Sequence, residues 1–500
     1  MKKIILLILA AALAALPVLS CAADEDSMQW NGPAEPGEPA PADRPEPDTE
    51  NEAAAEEPED ALTFPDLPDV NFGGYEFRIL NTGDEHQLWI MKTLVAEEET
   101  GSALNDAIFR RNRRMEERFG FTLVQRDFNG PGLVRDAARR SIQAASDDFD
   151  LAMMEPAQGL MMAQEGMLEM IDRIPHVDLS RPWWDRAMVR DFSIGNRIFL
   201  ASGDFSFNQY SITMGTLFNK QIHADLGLDC PYQLVREGRW TIDRFTEMGR
   251  AALRDLNGDG VFDHNDQWGL VSNANNYTLA LMIGMGARYV IKDADDMPVF
   301  NLNTEGFINR FETLFDMVTD GWVYDFNRPN TPTRPPYMFM NNQGLFWINP
   351  VQEAVLLRAM DTDFGILPQP KLNEQQEDYI SATVNPHIMG IPVTTGDLER
   401  TGIILEALNA ESRLTTLEIY FDTMLVNQLM NRDEESAEML DIIFANRVYD
   451  LGRLFWNDVV ANTAAHTMRD LSRDIVSAIE RTEAAANAAI EAAIAAFVDN

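Results

Sequence analysis

The pattern of apolar and polar positions divides the chain, from about Phe72 onward, into alternating strands and helices. Alternation at 75–80 predicts a strand, and apolar side chains at helical spacing predict a helix over 102–119 that Gly120 closes. The next elements keep this order, with strands at 121–124 and 149–154 and a helix at 133–144. Such an order indicates a parallel α/β layer.

Short apolar runs predict further strands in the middle of the chain. They lie at 198–200, 268–271, 345–348, 363–367 and 388–392. After Asp397 the pattern is almost wholly helical, and it ends in the Ala-rich run 475–498. We therefore expect an α/β body with a helical C-terminal region.

The first twenty residues are typical of a signal peptide. Two lysines precede an unbroken apolar run of thirteen residues, Ile4–Leu16, which is too short to span a bilayer. The stretch Val18-Leu19-Ser20-Cys21 resembles a bacterial lipobox, so Cys21 is the predicted lipid-bearing N-terminus of the mature protein. Ordinary cleavage that leaves a free thiol is the alternative. In both cases the protein is exported, and lipidation would hold it on the outer face of the cell membrane.

Residues 21–71 form a predicted acidic linker. Positions 22–60 hold fourteen Asp or Glu residues, one Arg, seven Pro and a single aromatic residue, Trp30. Such a segment cannot bury a core, because it is highly charged and nearly without large apolar side chains. We predict a disordered, extended tether between the lipid anchor and the folded body.

The whole chain is strongly acidic, with 80 acidic and 40 basic side chains and a net charge of −40. This charge disfavours binding to nucleic acids and to anionic bilayers. A hydrophobic content of 45% is that of an ordinary globular protein. Only Cys21 and Cys230 occur, which excludes a disulfide framework.

One local motif predicts a metal site. Residues 255–266 place oxygen-bearing side chains at positions 1, 3, 5, 9 and 12 of a loop, with glycine at position 6, as in an EF-hand calcium loop. The predicted ligands of a structural Ca²⁺ are Asp255, Asn257, Asp259, the Val261 carbonyl, Asp263 through water, and Asp266. The last position usually holds Glu, so Asp266 leaves the affinity open. The alternative is an acidic turn without metal.

The absence of four common catalytic motifs argues against several classes of enzyme. The sequence contains no GxSxG, no P-loop, no GxGxxG and no HExxH. A pair of glycosidase carboxylates stays possible in a chain with so many acids. We expect a binding protein rather than an enzyme.

Several segments together resemble a known family. They are Tyr75–Leu80, Asp148–Met154, Met214–Lys220 with Leu226–Leu228, Gly238–Phe245, Met338–Phe346 and Asp363–Lys371. Their order resembles the family 1 extracellular solute-binding proteins of ABC importers, the group that includes maltose-binding protein. The segment 179–185 is similar to a lipoprotein branch of that family.

The resemblance implies a type II periplasmic-binding fold, with two α/β lobes and a ligand cleft between them. We expect lobe one at 72–205 plus 349–386 and lobe two at 210–346 plus 390–500. The expected chain crossings lie near 203–212, 347–350 and 385–390. The implied function is the substrate-binding subunit of an ABC importer, a monomer that captures an oligosaccharide by hinge closure and delivers it to the transmembrane subunits of a permease.

Candidate ligand residues follow the strands and lie at the crossings. Aromatic side chains suit the apolar faces of sugars, and amides and carboxylates suit their hydroxyls. The candidates are Asp84, Glu85, Glu155, Phe207, Tyr210, Asn276, Tyr277, Trp347, Asn349, Tyr379 and Asn385, with Asn273 and Asn275 beside them. Trp347 is either a stacking platform or a core residue.

Two other ligand classes stay open. A count of 25 methionines would suit an adaptable cleft for peptides. The second alternative is a surface lipoprotein that binds polysaccharide without a permease. Its possible ligands include uronic-acid glycans bridged by calcium.

Overall fold

The computed structural model describes residues 63–83, 94–328, 331–423 and 435–499. In chain order the strands are β1 (Tyr75–Thr82), β2 (Phe121–Phe128), β3 (Leu151–Met154), β4 (Met214–Asn219), β5 (Trp268–Ser272), β6 (Val290–Lys292), β7 (Pro298–Phe300), β8 (Val323–Asp325), β9 (Gly344–Pro350), β10 (Phe364–Leu367), β11 (Ser381–Ala382), β12 (Ile388–Gly390) and β13 (Arg447–Val448).

The helices of the first half, again in chain order, are α1 (Ala103–Phe119), α2 (Pro131–Gln143), α3 (Pro156–Gln164), α4 (Arg186–Phe192), α5 (Asn208–Ser211), α6 (Lys220–Leu226), α7 (Pro231–Arg236) and α8 (Ile242–Ala252). Those of the second half are α9 (Ala274–Gly284), α10 (Glu305–Thr319), α11 (Pro335–Met340), α12 (Leu398–Glu411), α13 (Leu417–Phe421), α14 (Glu435–Ala445), α15 (Leu451–Leu454), α16 (Ala461–Arg469) and α17 (Ile475–Asp499). Single 3₁₀ segments occupy Ile171–Arg173 and Val351–Ala359, and a π-helical turn occupies Ser412–Thr416.

The first sheet has the strand order β12-β3-β1-β2. Strands β1, β2 and β3 are parallel, and β12 runs antiparallel to β3. All four residues of β3 are buried, because this strand has a neighbour on each edge and packing on both faces. Helix α1 ends where the sequence predicts, at Gly120, whose positive φ of 64° favours glycine. The predicted parallel α/β layer is confirmed.

The second sheet has the strand order β10-β4-β9-β5-β8. Strands β5, β8 and β9 are parallel to one another, while β4 runs antiparallel to both β9 and β10. Every residue of β4 and β5 is buried, which agrees with their continuous apolar sequence. The carboxyl ends of β5, β8 and β9 therefore meet at one edge of this sheet.

Helix α12 covers the first sheet. Its apolar residues Ile403, Leu405 and Leu408 belong to the same buried cluster as Phe77 and Ile79 of β1. A buried carboxylate on the helix, Glu406, accepts the indole N–H groups of Trp183 at 2.9 Å and Trp184 at 2.8 Å. Burial raises the pKa of Glu406 to about 7. These bonds fix the Trp pair to α12.

The sheet pairing disagrees with the predicted division into lobes at two places. We assigned 349–386 to lobe one, but β10 within it pairs with β4 of the second sheet. We assigned 390–500 to lobe two, but β12 pairs with β3 and α12 packs on the first sheet. A short apolar strand shows only that it is buried, so its sequence does not tell which sheet it joins. The remaining boundaries stay a prediction.

Two of the three predicted crossings agree with the strand pairing. The chain leaves the first sheet after Ala201, which bridges Met389, and enters the second sheet at Met214. It returns to the first sheet at Ile388. The predicted crossing at 347–350 is wrong, because β9 and the next strand, β10, both belong to the second sheet. The expected strand at 198–200 is also absent, and only the single bridge at Ala201 forms there.

Charged and aromatic side chains pack together at the first crossing. This crossing cluster consists of Asp185, Asp204, Tyr210, Arg413, Arg447 and Tyr449. Arg447 pairs with Asp185 at 3.0 Å, and the Tyr449 hydroxyl donates to the same carboxylate at 2.6 Å. Burial raises the pKa of Asp204 to about 7 although Arg413 lies nearby. The cluster ties the first crossing to the C-terminal helices.

Within the described ranges, no helix combines the length and the apolar character that a membrane span needs.

Candidate functional site

Two cavities lie at the edge of the second sheet where its parallel strands end. Asn273 follows β5, Phe326 follows β8, and Asn349 and Pro350 end β9. Loops at the carboxyl ends of parallel strands are the usual ligand sites of open α/β sheets, because several loops converge there. The topology thus brings residues from distant parts of the chain to one place.

The first is a polar cavity of about 260 Å³, which we call the asparagine cavity. Six amide side chains line it: Asn275, Asn276, Asn349, Asn385, Asn457 and Asn462. Each amide offers an acceptor oxygen and two donor hydrogens, so this lining can bind a ligand rich in hydroxyl groups.

The second is an apolar cavity of about 570 Å³. Its wall includes Pro335, Pro336 and Tyr337 of α11, and Leu356 of the 3₁₀ segment after β9. Tyr337 is 56% exposed, unlike most large aromatic residues of this chain. An exposed aromatic ring in a concave surface is a suitable platform for the C–H face of a ligand.

Three residues line both cavities and join them into one elongated site. They are Asn276, Asn349 and Glu353. The Asn276 amide donates to Asn349 Oδ1 at 2.6 Å, and the Asn276 N–H donates to Asn273 Oδ1 at 3.0 Å, which caps helix α9. The bond between the two side chains orients both amides, and it leaves the Asn276 carbonyl oxygen and the Asn349 amino group outside this pairing.

Two ionisable groups of the asparagine cavity have pKa values shifted by burial. Burial raises the pKa of Glu353, and the charge of Arg334 partly opposes this shift. Burial lowers the pKa of Arg453, and Tyr289, Glu155 and Asp458 oppose that shift. The asparagine cavity therefore contains one carboxylate acceptor and one guanidinium donor besides its amides.

No protein-family model and no curated protein matches this chain by sequence. Solved structures are similar to it in fold. The sugar-binding protein MalE from Xanthomonas citri is 12% identical with a TM-score of 0.56, over 85% of this chain and 98% of that one. A cyclo/maltodextrin-binding protein complexed with maltotetraose is 13% identical with a TM-score of 0.53, over 85% and 96%. UgpB from Mycobacterium tuberculosis, in complex with glycerophosphocholine, is 14% identical with a TM-score of 0.53, over 82% and 98%.

The chain has the type II periplasmic-binding fold. This conclusion rests on the coverage of more than four fifths of the chain by such structures and on the two mixed sheets. The fold predicted from the sequence motifs is confirmed. The ligands of the similar proteins differ, so the periplasmic-binding fold alone does not fix the ligand of this chain.

The structure brings several of the predicted amides together. Asn276, Asn349 and Asn385 all line the asparagine cavity, as does Asn275, while Asn273 lines the apolar cavity. Reasoning from strand ends found these residues, since the loops after β5 and β9 converge. Their role in binding stays a prediction.

Two other candidates lie beside the cavities without lining them. Tyr277 is fully buried, and its hydroxyl donates to Asp325 Oδ2 at 3.0 Å. Glu155 follows β3 at the carboxyl end of the first sheet, and its charge acts on Arg453. Tyr277 thus contacts Asp325, and Glu155 acts electrostatically on Arg453, which lines the asparagine cavity.

The predicted aromatic platforms are part of the core. Trp347 is 1% exposed and packs on Phe339 with 5.9 Å between ring centroids, which corrects the platform interpretation in favour of the core alternative. Phe207 stacks on Tyr420 at 5.0 Å. Tyr210 belongs to the crossing cluster. Tyr379 accepts a hydrogen bond from the backbone N–H of Trp240 at its hydroxyl oxygen, at 3.2 Å. All four are buried, and none of them lines either cavity.

Three further predicted positions, Cys21, Asp84 and Glu85, lie outside the described residues.

The acidic loop 255–266 is held together by hydrogen bonds from its backbone. Both carboxylate oxygens of Asp255 accept N–H groups, from Gly258 at 2.6 Å and Gly260 at 2.9 Å. Asp266 is fully buried and accepts from Leu256 and Asp263, each at 2.9 Å. Carboxylate and amide oxygens are ligand types that suit calcium.

The spatial arrangement of these oxygens gives no such support for a calcium site. In the described part of the chain, no three His, Cys, Asp or Glu side chains converge as a metal site would require. The oxygens of Asp255 and Asp266 already serve the backbone, so a metal would have to share them. Calcium binding stays a prediction.

Sequence reasoning missed the residues that the C-terminal region contributes. Arg453, Asn457 and Asn462 line the asparagine cavity from α15, α16 and the segment between them. The region was interpreted only as packed helices, although polar residues at Asn457 and Asn462 interrupt its apolar pattern. Tyr337, after two prolines, was also missed.

Proposed function

We propose that this chain is the extracellular substrate-binding subunit of an ABC importer and that it captures an oligosaccharide in the joined cavities. The observation that carries the proposal is the six-asparagine cavity at the carboxyl ends of β5 and β9, directly beside an exposed aromatic ring. Amides hydrogen-bond to sugar hydroxyls, and the Tyr337 ring covers the apolar face of a sugar. Similar proteins that bind maltodextrins support the same ligand class.

Binding without catalysis fits the acids of the site. Among the described residues that line the asparagine cavity, Glu353 is the one carboxylate. Hydrolysis of a glycosidic bond by the usual mechanisms needs two carboxylates on opposite sides of the bond. We therefore propose that bound oligosaccharide is released intact to the transmembrane subunits of the permease.

Capture takes place by closure of the two lobes about the crossings. Hinge closure around a ligand is the general behaviour of periplasmic-binding proteins. We propose that the protein acts as a monomer and that Cys21 carries the lipid that holds it on the outer face of the membrane. Fractionation of cells that produce the Cys21→Ala variant checks the anchor, and full membrane retention of that variant would refute it.

A glycan array followed by titration calorimetry tests the ligand class. We expect neutral or acidic oligosaccharides to bind, and Tyr337→Ala to weaken binding about tenfold because the variant loses a stacking surface. Leu133→Ala is the matched control, since Leu133 is 52% exposed on α2 and lines neither cavity. Binding of oligopeptides together with an array empty of glycans would overturn the proposal.

Peptide binding is the second candidate because the apolar cavity is the larger of the two. Its wall of Pro335, Pro336 and Met340 would accept an apolar side chain. A library of short peptides, titrated on the same protein, decides between the candidates.

A further inference from the structure

Arg453 has an unusual position in the asparagine cavity. It lies on the short helix α15, where Asp450 fixes the backbone by accepting the Arg453 N–H at 3.3 Å and the Tyr289 N–H at 2.7 Å. Its side chain lines the cavity together with the amides. The backbone that carries this side chain is therefore fixed beside the cavity.

Within the described residues, no carboxylate lies within 4 Å of this guanidinium, and its side chain donates no hydrogen bond to the protein. Arg447, six residues earlier, shows the contrast, since it pairs with Asp185 at 3.0 Å. Arg453 is only partly buried, and its guanidinium does not lose its proton in proteins. Its N–H donors are therefore charged and can bind an anion in the cavity.

The surrounding charges leave room for an anionic partner. Glu155 and Asp458 act on Arg453 from beyond ion-pair distance. The chain as a whole carries a charge of −40, but charges farther away than about 8 Å are largely screened at physiological salt. Arg453 is therefore the one cationic group that lines the asparagine cavity among the described residues, and Glu353 is the one anionic group.

We propose that the ligand carries an anionic group, a carboxylate or a phosphate, which pairs with Arg453 while the asparagines bind its hydroxyls. The planar guanidinium binds both kinds of oxyanion through paired hydrogen bonds. This inference rests on the proposed function, because it specifies one group on the captured ligand. A polyhydroxylated ligand with one acidic group, such as an oligosaccharide that contains a hexuronic acid, offers hydroxyls to the amides and an oxyanion to Arg453.

Titration calorimetry with three probes tests the proposal. The probes are cellobiose, the matching disaccharide whose terminal sugar is glucuronic acid, and glycerophosphodiesters. We expect at least one acidic probe to bind about tenfold or more tightly than cellobiose, because a charge-assisted pair adds to the hydroxyl contacts. The carboxylate and phosphate probes separate the two sources of the anionic group.

Variants test whether Arg453 causes the preference for the acidic probe over cellobiose. Arg453→Met should remove the preference for the acidic probe while it changes cellobiose affinity only a few-fold, and Arg453→Lys should restore part of the preference. Asn457→Ala is the matched cavity variant, since Asn457 lines the same cavity and should weaken acidic and neutral saccharides alike. A melting curve of each variant shows that it is folded, and the ratio of acidic to neutral affinity is a readout that loss of packing does not move.

The outcomes separate this inference from the proposed function. Equal or tighter binding of the neutral saccharide by the wild type overturns the anionic group and leaves the sugar class standing. Binding of the glycerophosphodiester with no saccharide bound overturns the proposed oligosaccharide and supports the pairing with Arg453. An unchanged preference in Arg453→Met refutes the role of this residue.

Discussion

The crossing cluster and the asparagine cavity each contain an arginine, and the two arginines differ in what surrounds them. In the crossing cluster, Arg447 meets Asp185 directly and lies over the Tyr210 ring at 4.6 Å. In the cavity, Arg453 faces amides and open space. A charge that is paired inside the protein stabilises one arrangement of the chain, whereas a charge left without a protein partner is prepared for a ligand.

The largest expected effect comes from breaking the pair in the crossing cluster. Arg447→Met leaves the carboxylate of Asp185 buried without its cation and should lower the free energy of unfolding by about 3–5 kcal/mol. Thermal or urea unfolding measures this loss. Arg110→Met is the control, because Arg110 pairs with Glu99 at 2.7 Å on the surface and its loss should cost about 1 kcal/mol or less. Equal losses in the two variants would contradict the difference between paired burial and surface pairing.

The acidic loop 255–266 adds a third way to accommodate charge, through backbone N–H groups and, as we predict, calcium. Calcium at about a hundred times its dissociation constant would add about 2.7 kcal/mol to the free energy of unfolding. Removal by a chelator should then lower the melting temperature, and Asp259→Ala should abolish that response. Asp295→Ala, in an acidic turn elsewhere, should respond as the wild type does. A wild-type midpoint that chelator does not move would show that the loop is a metal-free turn.

In the cavity, loss of a single amide should affect binding more than folding. Asn349→Ala removes an amide that lines both cavities and the acceptor that orients Asn276, so oligosaccharide affinity should fall about tenfold, or about 1.4 kcal/mol. Asn373→Ala, on an exposed loop, is the control for a lost asparagine. An affinity that is the same in both variants would place the ligand elsewhere.

A pH dependence of opposite sign is expected in the two regions. The pKa of Asp204 is raised to about 7 from 3.8, so between these values the folded chain binds a proton that the unfolded chain does not. Stability should therefore rise as the pH falls from about 7 towards 4, by about 2 °C or more in melting temperature. Asp204→Asn should show a shallower slope than the wild type, and an identical slope would contradict this origin.

In the cavity, the pKa of Glu353 is raised above its usual value of 4.5. If the ionised form accepts ligand hydroxyls, affinity should fall as the pH drops through that raised value. Calorimetry at several pH values measures the trend, and Glu353→Gln should remove it.

Much of the fold could be predicted from local pattern, because strands such as β1 alternate and α1 ends at a glycine with positive φ. The membership of β10 and β12 in their sheets could not, since pairing joins segments far apart in the chain. Within the site, Asn276 and Asn349 were predictable because they follow strands. Arg453 was not, because the short helix that carries it has no pattern that separates a cavity wall from a core face.

The antiparallel strand β12 has a consequence for how the chain reaches this structure. It pairs with β3 across about 230 intervening residues, so the first sheet is incomplete until Ile388–Gly390 has joined it. Contacts of such high sequence separation slow folding, because the chain must close a long loop before it gains them. If the predicted signal peptide directs export before folding, slow completion of the N-terminal sheet would keep the chain unfolded for longer.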